Sequence, residues 1–122
     1  MKKVLVVEDN KSNMYLISFM LKQNGFKVIE AWTWKEGIDL AIKEKPDFIL
    51  MDIQLPDIDG LETTRRIRDS EASGKIPKIP IIALTSSTMV GDREKAFAAG
   101  CTGYIEKPIN PHTFLTEIKK YV

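Results

Sequence analysis

Glu8, Asp9, Asp52, Thr85 and Lys107 each stand where an apolar run stops, and together they could carry phosphoryl chemistry. Glu8 and Asp9 follow Val4-Leu5-Val6-Val7, Asp52 follows Phe48-Ile49-Leu50-Met51, Thr85 follows Ile81-Ile82-Ala83-Leu84, and Lys107 follows Gly103-Tyr104-Ile105-Glu106. Three carboxylates brought within a few ångströms repel one another, and a hard divalent cation is the usual remedy. Few carboxylates, a backbone carbonyl and several waters suit Mg²⁺ better than Zn²⁺, since neither Cys nor His is near. A lysine and a hydroxyl are donors for a phosphoryl group. One carboxylate left as nucleophile gives an aspartyl phosphate. Taken alone, Asp52 is equally well a turn-initiating residue, so the elements that position it must decide.

Phe48 to Met51 reads as a strand buried on both faces, as in parallel sheets, and Pro56 blocks its continuation. Val4–Val7, Ile81–Leu84 and the short Gly103–Ile105 are further strands, while the more amphipathic Lys27–Ala31 suits a sheet edge. Between them, Asn10 or Ser12 can cap a helix running to about Asn24, with Gly25 as its left-handed stop. Thr33 with Glu36 forms a capping-box pattern for a second helix that ends before Pro46. After a turn at Asp57-Ile58-Asp59-Gly60, a third helix runs from Leu61 to about Asp69, and Ser70 to Pro80 is a surface loop. A fourth spans Met89 or Val90 to Ala99 and stops at Gly100. Asn110 caps the last helix, with Pro111 at its first position. Five strands, each followed by a helix, imply an α/β doubly wound five-stranded parallel sheet with right-handed crossovers, flavodoxin-like, flanked by five helices. All the polar strand-end residues then converge on one edge. The strand order 2-1-3-4-5 is borrowed from known doubly wound sheets, and it puts the ligand crevice between strands one and three.

With 122 residues the chain is one domain, 1–122, large enough for a real core. Lys plus Arg number 18 against 17 Asp plus Glu, a net charge of +1 that implies neither direct nucleic-acid binding nor membrane binding. A single cysteine, Cys101, suits a reducing cytoplasm. No apolar stretch approaches membrane-spanning length, and Val4–Val7 is too short for a signal-peptide core. The last helical lysines are followed only by Tyr121-Val122, so no attached output domain is expected. In the first helix Met14, Tyr15, Leu16, Ile17, Phe19, Met20 and Leu21 exceed what one apolar stripe can hold. That helix is either sandwiched or offers apolar surface to a partner.

The chain resembles the CheY-like receiver domains of two-component response regulators, of the stand-alone, single-domain type. The resemblance covers essentially all of it. It rests on Glu8-Asp9, the segment Met51-Asp52-Ile53-Gln54-Leu55-Pro56-Asp57-Ile58-Asp59-Gly60, Thr85, Tyr104 and Lys107-Pro108. It implies a phosphoacceptor of a two-component or phosphorelay system. Asp52 would take a phosphoryl group from a phosphohistidine on a sensor histidine kinase or histidine phosphotransfer protein. Asp9, Asp52 and the backbone carbonyl of Gln54 would hold Mg²⁺, with Glu8 acting directly or through water. Lys107 and Thr85 would bond phosphoryl oxygens, and Lys107-Pro108 would be cis. Thr85 and Tyr104 would form a switch read by a downstream protein. The phosphodonor would approach along the first helix at Asn13 and Leu16. Such a domain is no conventional enzyme, although it assists its own phosphorylation and dephosphorylation.

The pattern has its own features. Ser86 stands where a small alanine is commoner and adds a hydroxyl near the phosphate, and Gln54 and Ser87 occupy the positions flanking the attacking water. Glu8-Asp9-Asn10 with Asn13 is similar to stand-alone cell-cycle receivers and to receivers of hybrid kinases. His112 reads as a solvated surface residue, Cys101 as a small buried apolar one, and Trp32 and Trp34 as cover for the second helix. Lys43-Glu44-Lys45 and Arg65-Arg66 read as solvated faces. Two other classes fit less well. A flavin carrier would want hydroxyls and backbone donors in the first loop, which is acidic here. An aspartyl-phosphate phosphatase would want a second acid where Gln54 stands.

Overall fold

β3 (Phe48–Asp52) is buried along its whole length and lies at the centre of a five-stranded parallel sheet. The computed structural model describes residues 2–55, 59–86 and 90–122, the side chain of Val90 excepted. Pro56, the Asp57-Ile58 part of the expected turn, Ser87 and Met89 lie outside the described residues. Around β3 the strands β1 (Lys3–Val7), β2 (Lys27–Ala31), β4 (Ile81–Thr85) and β5 (Gly103–Glu106) take the order β2-β1-β3-β4-β5. The expected order therefore holds, and β2, with its half-exposed pattern, is an edge strand. Register sets the depth of the site. Val7 pairs with Ala31 and Met51, and Asp52 pairs with Leu84. The next residue of each inner strand therefore emerges at one rim.

Helices α1 (Lys11–Gln23), α2 (Trp34–Glu44), α3 (Gly60–Ala72), α4 (Val90–Ala98) and α5 (Phe114–Lys119) cover the sheet. Alternation along the strands splits the core into two layers. Leu5, Val7, Ile49, Met51, Ile81 and Ala83 face one way with Ile67 of α3, while Val4, Val6, Leu50, Ile82 and Leu84 face Met14, Ile17, Phe114 and Ile118. Trp34 packs on the first layer and Trp32 on the second, so the two tryptophans cover opposite faces.

The caps follow the local chemistry. Asn10 Oδ1 accepts from Asn13 N at 2.9 Å to start α1, and Gly25 takes φ +85° after it. Thr33 Oγ1 accepts from Glu36 N, and Glu36 reaches back to the Trp32 N–H, one residue earlier than a standard capping box. Two boundaries differ from expectation. α3 continues to Ala72 instead of ending near Asp69, because Glu71 pairs with Arg68, whose guanidinium is itself held by the distant carbonyls of Ile79 and Gly100. α5 begins at Phe114, not at Pro111. Asn110 does accept from His112 N at 2.9 Å, but residues 111–113 form a turn that precedes the helix.

Candidate functional site

The carboxyl ends of β1, β3 and β5 bring Glu8, Asp52 and Lys107 into contact. Lys107 Nζ lies 3.0 Å from Glu8 Oε1 and 3.1 Å from Asp52 Oδ1. Glu8 is fully buried and Asp52 is 2% exposed, whereas Asp9 is open to solvent. Carboxylate oxygens of Glu8, Asp9 and Asp52 lie within 4.8 Å of one another. One wall of the pocket is therefore closed and the side beside Asp9 is open.

Backbone bonds fix the acceptor. Gln54 N donates to Asp52 Oδ1 at 3.0 Å, Ile53 N to Leu84 O at 3.1 Å, and Gly60 N to Ile53 O at 2.8 Å. The last bond draws α3 against the end of β3. A Cβ on Gly60 would stand 2.1 Å from the Asp52 carbonyl oxygen, so only glycine allows this approach. On the other flank, Lys107 N donates to Thr85 O at 2.7 Å, and Lys107-Pro108 is cis. Thr85 is buried at the end of β4.

The electrostatics follow from this crowding. Burial, then the negative charge of Asp52, pushes the Glu8 carboxyl up to about 7. The Asn10 N–H on Glu8 Oε2 at 3.1 Å and the Lys107 ammonium oppose that rise. Burial pulls the Lys107 ammonium down, but Asp52 and Glu8 outweigh it and leave it above its ordinary value. Oε1 of Glu8 has no aligned hydrogen-bond donor among the described residues, only the charge of Lys107. A buried, under-satisfied carboxylate oxygen beside two more carboxylates, without sulfur or imidazole, is a donor set that fits a hard divalent cation.

Other expected residues lie outside this cluster. Tyr104 sits on β5 opposite Ala83, half-buried, with the Arg93 guanidinium 5.0 Å from its ring centre. Arg93 in turn is 4.0 Å from Glu106. Asn13 and Leu16 are half-buried on α1. Beside them Tyr15 and Phe19, 73% and 49% exposed, stack with ring centres 6.3 Å apart. The excess apolar residues of that helix therefore do reach the surface. His112 is exposed, and Cys101 is buried with Sγ near Thr64 Oγ1. Sequence reasoning missed the bond from Ser86 Oγ to Gln54 Oε1, 3.0 Å, because it expected that hydroxyl at the phosphate. It also missed Arg93 over Tyr104, for which a charged residue on a helix surface gives no signal.

A doubly wound sheet that gathers an acid cluster, a strand-end aspartate and a cis-Pro lysine at its switch point defines a phosphoacceptor of the two-component signalling class. The chain belongs to the response regulator receiver domain family, whose model matches residues 4–119. Among its relatives is the polar-differentiation response regulator DivK of Brucella ovis, 42% identical over 121 residues, which span 99% of this chain and 96% of DivK. The receiver domain of Ssk1, in a co-crystal with the Saccharomyces cerevisiae histidine phosphotransfer signaling protein Ypd1, superposes with a TM-score of 0.90. That match has 30% identity and covers 98% of this chain and 88% of the other. The receiver domain of the Pseudomonas aeruginosa sensor histidine kinase PA1611, solved with a magnesium ion in its active-site cleft, is 34% identical. It gives a TM-score of 0.86 over 98% of this chain and 96% of its own. Among the described residues, no helix is long and apolar enough to cross a membrane.

Proposed function

We propose that residues 1–122 act as one receiver unit in which Asp52 accepts the phosphoryl group. The observation that carries this is the position of Asp52. It ends the central strand, is almost fully buried, and is the one carboxylate that touches both Lys107 and the backbone N–H of Gln54. Glu8, Asp9, Asp52 and the backbone carbonyl of Gln54 would hold Mg²⁺, which when bound supplies charge neutralisation for phosphoryl transfer. Lys107 moves its charge from the carboxylate to a phosphoryl oxygen, and the Thr85 hydroxyl bonds another. The chain thereby assists both its own phosphorylation and its later hydrolysis.

The donor is a phosphohistidine on a sensor kinase or histidine phosphotransfer protein, as the Ypd1 co-crystal of a related receiver supports. It approaches along α1 at Asn13 and Leu16. A downstream protein reads the face made by α4, Tyr104 of β5 and α5. Acetyl phosphate with Mg²⁺ should add one phosphoryl group, seen by intact mass, and Asp52→Asn should abolish it. A label on His112 or Glu8 would overturn the assignment.

A further inference from the structure

The rim of the acidic pocket carries one side-chain bond that backbone pairing does not require. Asp52 of β3 pairs with Leu84 of β4, so Gln54 and Ser86 each stand two residues beyond a paired position, just past the ends of neighbouring strands. There the Ser86 hydroxyl donates to Gln54 Oε1 at 3.0 Å, between two exposed side chains. Next to this bond is a cavity of about 130 Å³ lined, among the described residues, by Ile53, Gln54, Leu61, Thr85 and Asp92. That is room for a few waters at roughly 30 Å³ each. The Gln54 main-chain N–H is itself on Asp52 Oδ1, so its side chain cannot drift far from the acceptor.

A glutamine beside a phosphoryl group orients an attacking water by accepting a hydrogen bond from it on the amide oxygen. Here that oxygen is fixed on Ser86. We propose that Ser86 is a positioning residue that holds Gln54 away from the attacking water and so prolongs the aspartyl phosphate. The inference rests on Asp52 being the phosphorylated residue. In the step it slows, a water oxygen bonds to phosphorus and the bond from phosphorus to the Asp52 carboxyl oxygen breaks. The electron pair returns to the carboxylate, one water proton stays on the inorganic phosphate and the other goes to solvent.

The test is decay of label after acetyl phosphate is removed, followed by intact mass. Ser86→Ala should shorten the half-life about two- to tenfold, the bias that one exposed hydrogen bond imposes. Ser86→Thr, which keeps the hydroxyl, should restore the parent rate. In a Gln54→Ala background, Ser86→Ala should change nothing. Equal or slower decay in Ser86→Ala overturns the inference, as does the same acceleration without Gln54. If the parent protein takes no label, the Asp52 reading falls first and this one with it. If it labels and Ser86→Ala decays like the parent, only the role of Ser86 falls.

Discussion

Lys107 Nζ lies 3.1 Å from Asp52 Oδ1, so the expected phosphoacceptor is already held by the cation that a phosphoryl group must recruit. The same ammonium touches Glu8. One cation thus balances two buried acids, and any change to one member is felt by the others.

Removing Lys107 should therefore cost stability, although less than breaking an isolated buried pair, because Glu8 can take up a proton in response. Lys107→Met is expected to lose about 1–3 kcal/mol in chemical denaturation without metal. Asp52→Asn in that background should recover part of the loss, since it removes the carboxylate left unpaired. Equal stability of parent and Lys107→Met would mean that the ion cluster is not formed in solution.

Glu8 gives the protein a pH dependence of definite sign. Its pKa is raised in the fold, to about 7 from 4.5, so the folded state holds the proton longer than the unfolded chain does. The resulting penalty is absent below about 4.5, grows as pH rises through that window and is complete above about 7. Metal-free protein should lose stability from this group between those limits, and Glu8→Gln should flatten the profile. A cation that displaces the proton should bind more tightly as pH rises to about 7 and level off beyond it. Thermal melts across pH, with and without Mg²⁺, check both. A parent profile that matches Glu8→Gln would refute the raised carboxyl.

The strands and the strand-end acids were legible because period and position carry them. Buried runs such as Ile49-Leu50-Met51 and Ile81-Ile82-Ala83 are short, apolar and bounded by turn residues, which favours strands, and Glu8, Asp52 and Thr85 sit at the ends of such runs. Helix ends were less legible where long-range contacts set them. Arg68 holds α3 past Asp69, and its partners Gly100 and Ile79 are distant in sequence. Strand order needed a borrowed precedent, since apolar runs do not announce their neighbours. The Ser86–Gln54 bond depends on the β3–β4 register, which side-chain types alone do not encode.

Arg68 makes that lesson measurable. Its guanidinium donates to Gly100 O at 2.9 Å, Ile79 O at 2.6 Å and Thr102 Oγ1 at 3.2 Å, and it pairs with Glu71. These partners lie where β4 and β5 begin, at the edge opposite the acidic pocket. Arg68→Ala would strand carbonyls and a carboxylate together, for an expected loss of about 2–4 kcal/mol. Arg68→Lys should recover little, because a single ammonium cannot span the same acceptors. Acetyl phosphate uptake at low temperature should stay near the parent level in both. A loss below about 0.5 kcal/mol would show the network to be solvated ornament.

Tyr104 and Leu16 should separate reading from writing. Tyr104 lies under Arg93 on the face shared by β5 and α4, and beside it runs a groove of about 600 Å³ lined by Arg93, Phe97, Glu106, Glu117 and Tyr121 among others. Leu16 lies on α1, beside the exposed pair Tyr15 and Phe19. If phosphorylation draws Thr85 toward the pocket, space opens behind β4 that the Tyr104 ring can take, at the cost of its contact with Arg93. Two packings of similar energy then make a switch. Tyr104→Ala is expected to weaken phosphorylation-dependent binding of a downstream protein at least tenfold while phosphotransfer to Asp52 stays within twofold of the parent, an order-of-magnitude partition for a buried aromatic contact. Leu16→Ala should do the reverse, slowing transfer from a phosphohistidine donor but not from acetyl phosphate. Partner pull-down and radiolabel transfer report the two arms separately. Unchanged partner binding by phosphorylated Tyr104→Ala would break the Thr85–Tyr104 coupling, and the reader would then sense the phosphate pocket itself.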